Sequence, residues 1–245
     1  LNILLSVVCC HPQLEFSDAI RRTWLSAVSK DKADVRFFFG RGATRELRDD
    51  EVFLDCGDDY SSLPSKVQHI FKWAHAREYT HVLKCDCDVV LNADAVLSSD
   101  FSEYDFVGPR NCNGKISEIH TPWGFNYWLS RKAMKLVIDS PLPPHTNDEA
   151  WVSTVLYTNG IFLHDDQRYF LHRGAPKCLR PLQRPLRAPK RPMPVEVIAP
   201  PDTFAWCVYT DSGLHNIPLE DRIKEFYRVY EAQKHVIDGR ASEGT

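Results

Sequence analysis

Short apolar runs alternate with amphipathic helix patterns through about the first 175 residues of this 245-residue chain, and that alternation sets the fold class. A strand that is apolar along its whole length must be covered on both faces, and helices placed between such strands supply the cover. The expected strands are 3–9, 35–39, 52–54, 81–85, 106–107, 125–129 and 160–163. One helix is opened by Pro64, with Val67, Ile70, Phe71 and Ala74 at the spacing of a single helical face. Another runs from Ser17, read as its N-cap, through Ile20 and Trp24. A third follows Asn147, with Trp151, Val152 and Val155 on one side. The fold class that follows is α/β: a Rossmann-like, mixed and mostly parallel sheet flanked by helices.

Apolar residues at 43% and charged residues at 26% are ordinary for a globular chain and exclude collagen, coiled-coil and wholly disordered classes. No run approaches the 18 or so consecutive apolar residues of a membrane span. The opening run, Leu1 to Val8, has no basic flank and reads as a first strand in place of a signal peptide. A formal net charge of -3 leaves no electrostatic footprint for nucleic acid over the chain as a whole.

Composition shifts after residue 175. Half of the 16 prolines lie between Pro176 and Pro201, and residues 168–195 carry eight Lys/Arg and no acid. Prolines every few residues forbid a helix, so 176–201 is expected to be an extended basic arm. It is either a linker over the domain or a strap near an anionic ligand. Pro218 then starts a terminal helix with Leu219, Ile223, Phe226 and Tyr230 along one stripe, to pack on the body or on a partner chain. Eight cysteines stand at 9, 10, 56, 85, 87, 112, 178 and 207. Neighbours and next-neighbours rarely meet disulfide geometry with each other, so the pattern favours buried thiols in a reducing cytoplasm over an oxidising or Golgi lumen. The absence of C-x-x-C argues against zinc.

The most informative stretch is His81-Val-Leu-Lys-Cys-Asp-Cys-Asp-Val-Val-Leu-Asn92. An apolar strand ends in Asp86-x-Asp88, and two carboxylates at that spacing on extended chain share a side and can hold one hard cation. Ligands of open α/β sheets bind beyond the carboxyl ends of the strands, where this pair falls. All-oxygen donors favour Mg²⁺ or Mn²⁺, bridging to phosphates.

The segment Lys84-Cys-Asp-Cys-Asp-Val-Val-Leu-Asn92 resembles the D-x-D block of the β1,3-glycosyltransferases of the galactosyl-, N-acetylglucosaminyl- and fringe-type enzymes. Further blocks follow in that family's order. Asp18-Ala-Ile-Arg-Arg-Thr-Trp24 is similar to its opening helix, and Asp58-Asp-Tyr-Ser-Ser-Leu-Pro-Ser-Lys66 to its D-x-Y-x-N-L-x-x-K stretch. Pro122-Trp-Gly-Phe-Asn-Tyr-Trp-Leu-Ser130 stands where a glycine-containing strand ending in Ser is expected, and Asn147-Asp-Glu-Ala-Trp-Val-Ser153 resembles the acidic E-D-V helix start. The resemblance covers about residues 1–175. It departs from the pattern at Cys87, which replaces an acid, in keeping Gly124 alone of the glycines, and in the last 70 or so residues, which match nothing in the family.

The resemblance implies a GT-A fold and an enzyme that takes a sugar, galactose or N-acetylglucosamine, from a UDP-sugar donor to a saccharide or glycoconjugate acceptor, with Mn²⁺ (or Mg²⁺) and inversion at the anomeric carbon. The shift in composition sets off the proline-rich arm (176–201) and a helical extension (202–245), and the resemblance makes 1–175 the catalytic domain. It assigns Asp86 and Asp88 to the metal, joined by a late histidine, His172 in preference to His164. It places the base at the second acid of its helix block, Glu149, with Asp148 the alternative; a Glu there is one methylene longer than the family's Asp. Arg21 and Arg22 could approach a phosphate or the uracil edge, or simply face solvent. Asp58 and Lys66 occupy matching donor-site positions, although Lys66 could equally be exposed. Trp123, Phe125, Tyr127 and Trp128 crowd one strand; Phe125 and Tyr127 suit the core, and Trp123 could stack on a sugar. The alternative to an enzyme is a non-catalytic nucleotide-sugar or glycan-binding domain that recruits a partner.

Overall fold

The computed structural model describes residues 1–42, 45–116, 118–144, 147–169, 205–207 and 218–243. In chain order the strands are β1 (Ile3–Val8), β2 (Asp34–Phe39), β3 (Glu51–Phe53), β4 (His81–Asp86), β5 (Val89–Leu91) and β6 (Phe106–Gly108). They continue with β7 (Arg110–Ile116), β8 (Ile119–Pro122), β9 (Asn126–Ser130), β10 (His164–Asp165) and β11 (Ala205–Cys207). The helices are α1 (Leu14–Arg22), α2 (Leu63–Ala76), α3 (Ala93–Leu97), α4 (Arg131–Asp139), α5 (Asp148–Thr158) and α6 (Leu219–Glu243).

Seven strands form the central sheet in the order β10-β6-β9-β4-β1-β2-β3. All six residues of β1 are buried, the signature of a strand covered on both faces. It pairs in parallel with β2 and β4, and β3 extends the parallel half beyond β2. β9 runs antiparallel between β4 and β6, which makes the sheet mixed. One face is covered by α1 and α6, where Phe16, Ile20 and Trp24 join Phe226 and Val229. The other is covered by α2, α4 and α5 through Val67, Ile70, Phe71, Met134, Val137, Trp151 and Val152. The α2 stripe is the one its spacing anticipates: Val67, Ile70, Phe71 and Ala74 are all buried, with Pro64 in the first turn.

The terminal helix packs on its own chain. Phe226 is fully buried and meets Phe16 edge-on at 5.8 Å between ring centroids, and α6 also touches β5. Burial of one such phenylalanine contributes roughly 1.5–3 kcal/mol, enough to dock the helix firmly. β11 pairs antiparallel with β5, so two C-terminal segments bracket the strand that follows Asp88. The proline-rich stretch 176–201 lies outside the described residues.

Local differences from the sequence reading have physical causes. Ser17 lies inside α1, which begins at Leu14, and its Oγ donates to the Leu14 carbonyl at 2.6 Å instead of capping. Residues 160–163 form no strand, because α5 ends in a left-handed Gly160 (φ 76°) whose N–H donates to the Tyr157 carbonyl. The next N–H, of Ile161, returns to the Leu156 carbonyl, completing a Schellman cap that uses up this stretch and leaves the strand to begin at His164. Asp88 is not on extended chain; Cys87 and Asp88 form a tight turn between β4 and β5.

Candidate active site

The site forms at the carboxyl ends of β1 and β4. The Asp86 N–H donates to the Phe125 carbonyl at 2.8 Å and the Cys87 N–H to the Val8 carbonyl at 3.2 Å, which anchors the acidic turn to its neighbours. Lys84 precedes Asp86 by two residues and so projects from the same face of β4. Its side chain is 1% exposed; Nζ lies 2.6 Å from Asp86 Oδ1 and 3.7 Å from Asp148 Oδ2 and also donates to the Gly124 carbonyl. Burial alone would lower the Lys84 pKa, but Asp148 and Asp86 more than offset this and hold it above the ordinary lysine value.

The two acids that open α5 part company. Asp148 points into the protein, where the Tyr127 hydroxyl donates to its Oδ2 at 2.9 Å. Glu149 turns to the cleft and faces Gly124, where a Cβ would stand 2.8 Å from Glu149 Oε2. Burial, then the neighbouring Asp148 charge, pushes Glu149 up to about 7, which overcomes the helix N-terminus that would lower it. Tyr60 stands exposed on the rim, and its hydroxyl feels the charges of Glu149, Asp148 and Asp86.

Asp86 is likewise pushed up to about 7 by burial and by the Asp88 and Asp148 charges, against the pull of Lys84. Burial raises Asp88 too, countered first by Arg222 of α6, whose Nη2 lies 3.3 Å from Asp88 Oδ2. Among the described residues no three His, Cys, Asp or Glu side chains converge as a closed metal site. The chemistry of the pair nonetheless suits a hard divalent cation: two part-buried carboxylates repel each other and resist ionisation, and a cation that draws further oxygens from phosphate and water would relieve both effects.

The other candidates are distributed as follows. Asp58 and Lys66 meet at 2.6 Å, and Lys66 is 2% exposed. Asp58 also accepts the N–H groups of His11 and Gly40, and Lys66 donates to the Cys9 carbonyl, so the pair ties the loops after β1 and β2 together beneath the cleft. Arg21 bonds Asp50 and Glu51 at 2.8 and 2.7 Å, with its guanidinium 4.4 Å from the Phe37 ring centroid, and Arg22 is exposed on α1. His164 stacks on Tyr104 at 3.6 Å, on an edge strand. His172 lies outside the described residues. Phe125, Tyr127 and Trp128 are buried, Trp128 flat against Phe101 at 3.9 Å, while Trp123 is partly exposed and stacks on Phe125. The structure thus gathers Asp86, Asp88, Asp148 and Glu149 and holds Arg21 elsewhere. Sequence reasoning passed over Lys84 and Arg222. A lysine two residues before Asp86 in an apolar strand was a legible signal; nothing local marks Arg222.

The mixed, mostly parallel sheet flanked by helices is the GT-A fold, as comparison with solved structures shows. A glycosyltransferase involved in the glycosylation of the major capsid of PBCV-1 aligns with a TM-score of 0.54 at 10% identity, covering 93% of this chain and 100% of that one. An active-site mutant of LgtC aligns at 0.50 and 11% identity, covering 94% and 96%. A putative nucleotide-diphospho-sugar transferase from Desulfovibrio desulfuricans G20 aligns at 0.46 and 12%, covering 66% and 78%. At 10–11% identity over nearly the whole of both chains, the likeness to the first two is one of fold. No family model and no curated protein matches the chain by sequence.

Proposed function

We propose that this chain is a metal-dependent inverting glycosyltransferase that moves galactose or N-acetylglucosamine from a UDP-sugar to a saccharide hydroxyl, in β1,3 linkage as the ordered sequence blocks suggest. The observation that carries this reading is the convergence of two kinds of acid in one cleft: the Asp86/Asp88 pair at the strand end, and Glu149 across Gly124 with its pKa near neutrality.

Asp86 and Asp88 would hold Mn²⁺ or Mg²⁺ against the donor diphosphate. When bound, the cation supplies Lewis-acid stabilisation of the departing UDP. Glu149 accepts the proton of the acceptor hydroxyl as that oxygen attacks the anomeric carbon. The sugar–phosphate C–O bond breaks on the opposite face, and its electron pair leaves with UDP. A carboxylate poised near pH 7 suits this task, since it is ionised enough to accept a proton and basic enough to take one. Lys84 keeps Asp86 aligned and supplies fixed positive charge beneath the site. The cysteine spacing in the sequence favours a reducing cytoplasm over a Golgi lumen.

Transfer from UDP-galactose and UDP-N-acetylglucosamine to a panel of saccharides, with Mn²⁺ and with chelator, tests the proposal. Activity should require the metal, and Glu149→Gln should lower kcat about 10²–10⁴-fold, the usual contribution of a positioned base. Binding of UDP by Asp88→Ala as tight as by the parent, with metal present, would remove the metal assignment. Donor binding without turnover on any acceptor would favour the non-catalytic reading.

A further inference from the structure

Among the described residues, the carboxylates of the cleft outnumber the cations paired with them. Asp86, Asp88, Asp148 and Glu149 face two basic groups among the described ion pairs, Lys84 and Arg222. Lys84 is sealed in the protein and engaged by Asp86, Asp148 and the Gly124 carbonyl, so it cannot reach a ligand. Arg222 differs. Its side chain is 17% exposed, and it meets Asp88, itself 15% exposed, at the open side of the acidic turn.

It arrives there from far along the chain. Arg222 is 134 residues from Asp88 in sequence and sits in the first turn of α6, which Phe226 and Val229 lock against α1. Its guanidinium rests 5.1 Å from the centroid of the Phe16 ring, so the head group is steered from one side by an aromatic face and held on the other by a carboxylate. A guanidinium is always charged, carries several donors in a fixed fork, and suits phosphate oxygens as well as carboxylate oxygens.

We propose that Arg222 is a substrate-binding residue of the donor site, which takes the terminal phosphate of the donor diphosphate. In the free protein the guanidinium is stored on Asp88; as the diphosphate enters beside Asp88, it turns part of its donor fork onto the phosphate that carries away the charge. A fixed cation is worth most where charge develops during the reaction, and in this chemistry that is the terminal phosphate of the leaving nucleotide. The C-terminal helix is then a working part of the site. This inference rests on the donor-site reading given above.

The test is calorimetric titration of UDP and of UMP, both with Mn²⁺, into the full chain carrying Arg222, Arg222→Lys or Arg222→Gln. Both substitutions retain an alkyl stem over Phe16, and thermal melts of each confirm that α6 stays docked. Arg222→Gln should weaken UDP by about 10-fold or more, the order expected of a lost charged hydrogen bond, and change UMP less than 2-fold. Arg222→Lys should recover part of the loss. An equal effect on UDP and UMP, or none on either, overturns the inference. So does tighter Mn²⁺ binding at an unchanged UDP-to-UMP ratio, which would make Arg222 a plain counter-ion of Asp88. If the parent chain itself fails to bind UDP, the donor-site reading falls and this inference falls with it; a parent that binds UDP while the ratio stays fixed sinks the inference alone.

Discussion

Replacing Lys84 by Met keeps the length of the side chain and most of its volume, so it leaves no large cavity and isolates the charge. At an effective dielectric near 20, the contacts at 2.6 Å to Asp86 and 3.7 Å to Asp148 correspond to gross attractions of roughly 6 and 4 kcal/mol. Much of that offsets the desolvation of the buried Lys84 and Asp148 and of the part-buried Asp86. What the variant exposes is the cost of stranding two carboxylates, and breaking a buried pair from one side costs about 3–5 kcal/mol. For a chain of this size that lowers Tm by roughly 6–20 °C, at about 2–4 °C per kcal/mol. The loss must also depend on pH. Asp86 already sits near 7, and without Lys84 it rises further, so the folded variant holds a proton there that the unfolded chain has released. A raised carboxylate pKa costs stability as pH climbs above the unfolded value, so the gap between parent and variant should be widest near pH 8 and narrow toward pH 5. Urea denaturation across that range measures it. A gap of the same size at both ends, or a loss below about 1 kcal/mol at pH 8, would refute the reasoning.

Gly124→Ala sets a methyl 2.8 Å from Glu149 Oε2, the free end of a flexible side chain, so the fold should tolerate it while the carboxylate moves. Thermal melts should shift little and kcat should fall about 100-fold, as for a displacement near 1 Å; full activity would place the working base elsewhere. The proposed base Glu149 would work as the carboxylate, and its pKa is raised to about 7, so kcat/KM should climb as pH passes upward through 7 and level off above it. That limb should vanish in Glu149→Gln, and its survival would assign it to another group. Arg21→Ala removes a partner from Glu51, whose pKa the bonds of Arg45 and Arg21 hold down at about 2 despite burial. Stability should drop by about 1–3 kcal/mol at pH 7. The depressed pKa places this contribution above the ordinary glutamate range, and it is lost as pH falls toward 2, so parent and variant should converge in acid. UDP affinity should be unchanged; a loss would bring Arg21 into the donor site.

Much of the frame was legible in the chain because it rests on local periodicity. The α2 stripe, the buried runs of β1 and β4 and the acidic pair at the end of β4 depend on residues within one element, and burial follows their spacing. Reading failed where a local bond outcompeted the pattern: at Ser17, satisfied by its own helix, and at Gly160, whose left-handed cap consumed the expected strand. Asp148 and Glu149 are adjacent acids about 100° apart around one helical turn, so spacing puts only one of them toward an acceptor and does not say which.

The sequence by itself determined an α/β sheet and carboxylates at its carboxyl edge, since alternating apolar periods leave few ways to cover a strand on both faces. Tertiary structure alone decided that Tyr127 draws Asp148 inward, that Glu149 meets Gly124, and that α6 delivers Arg222 to Asp88. These contacts join residues remote along the chain. Their strength depends on burial and on charges that come together only after the elements pack, and no local pattern carries that information.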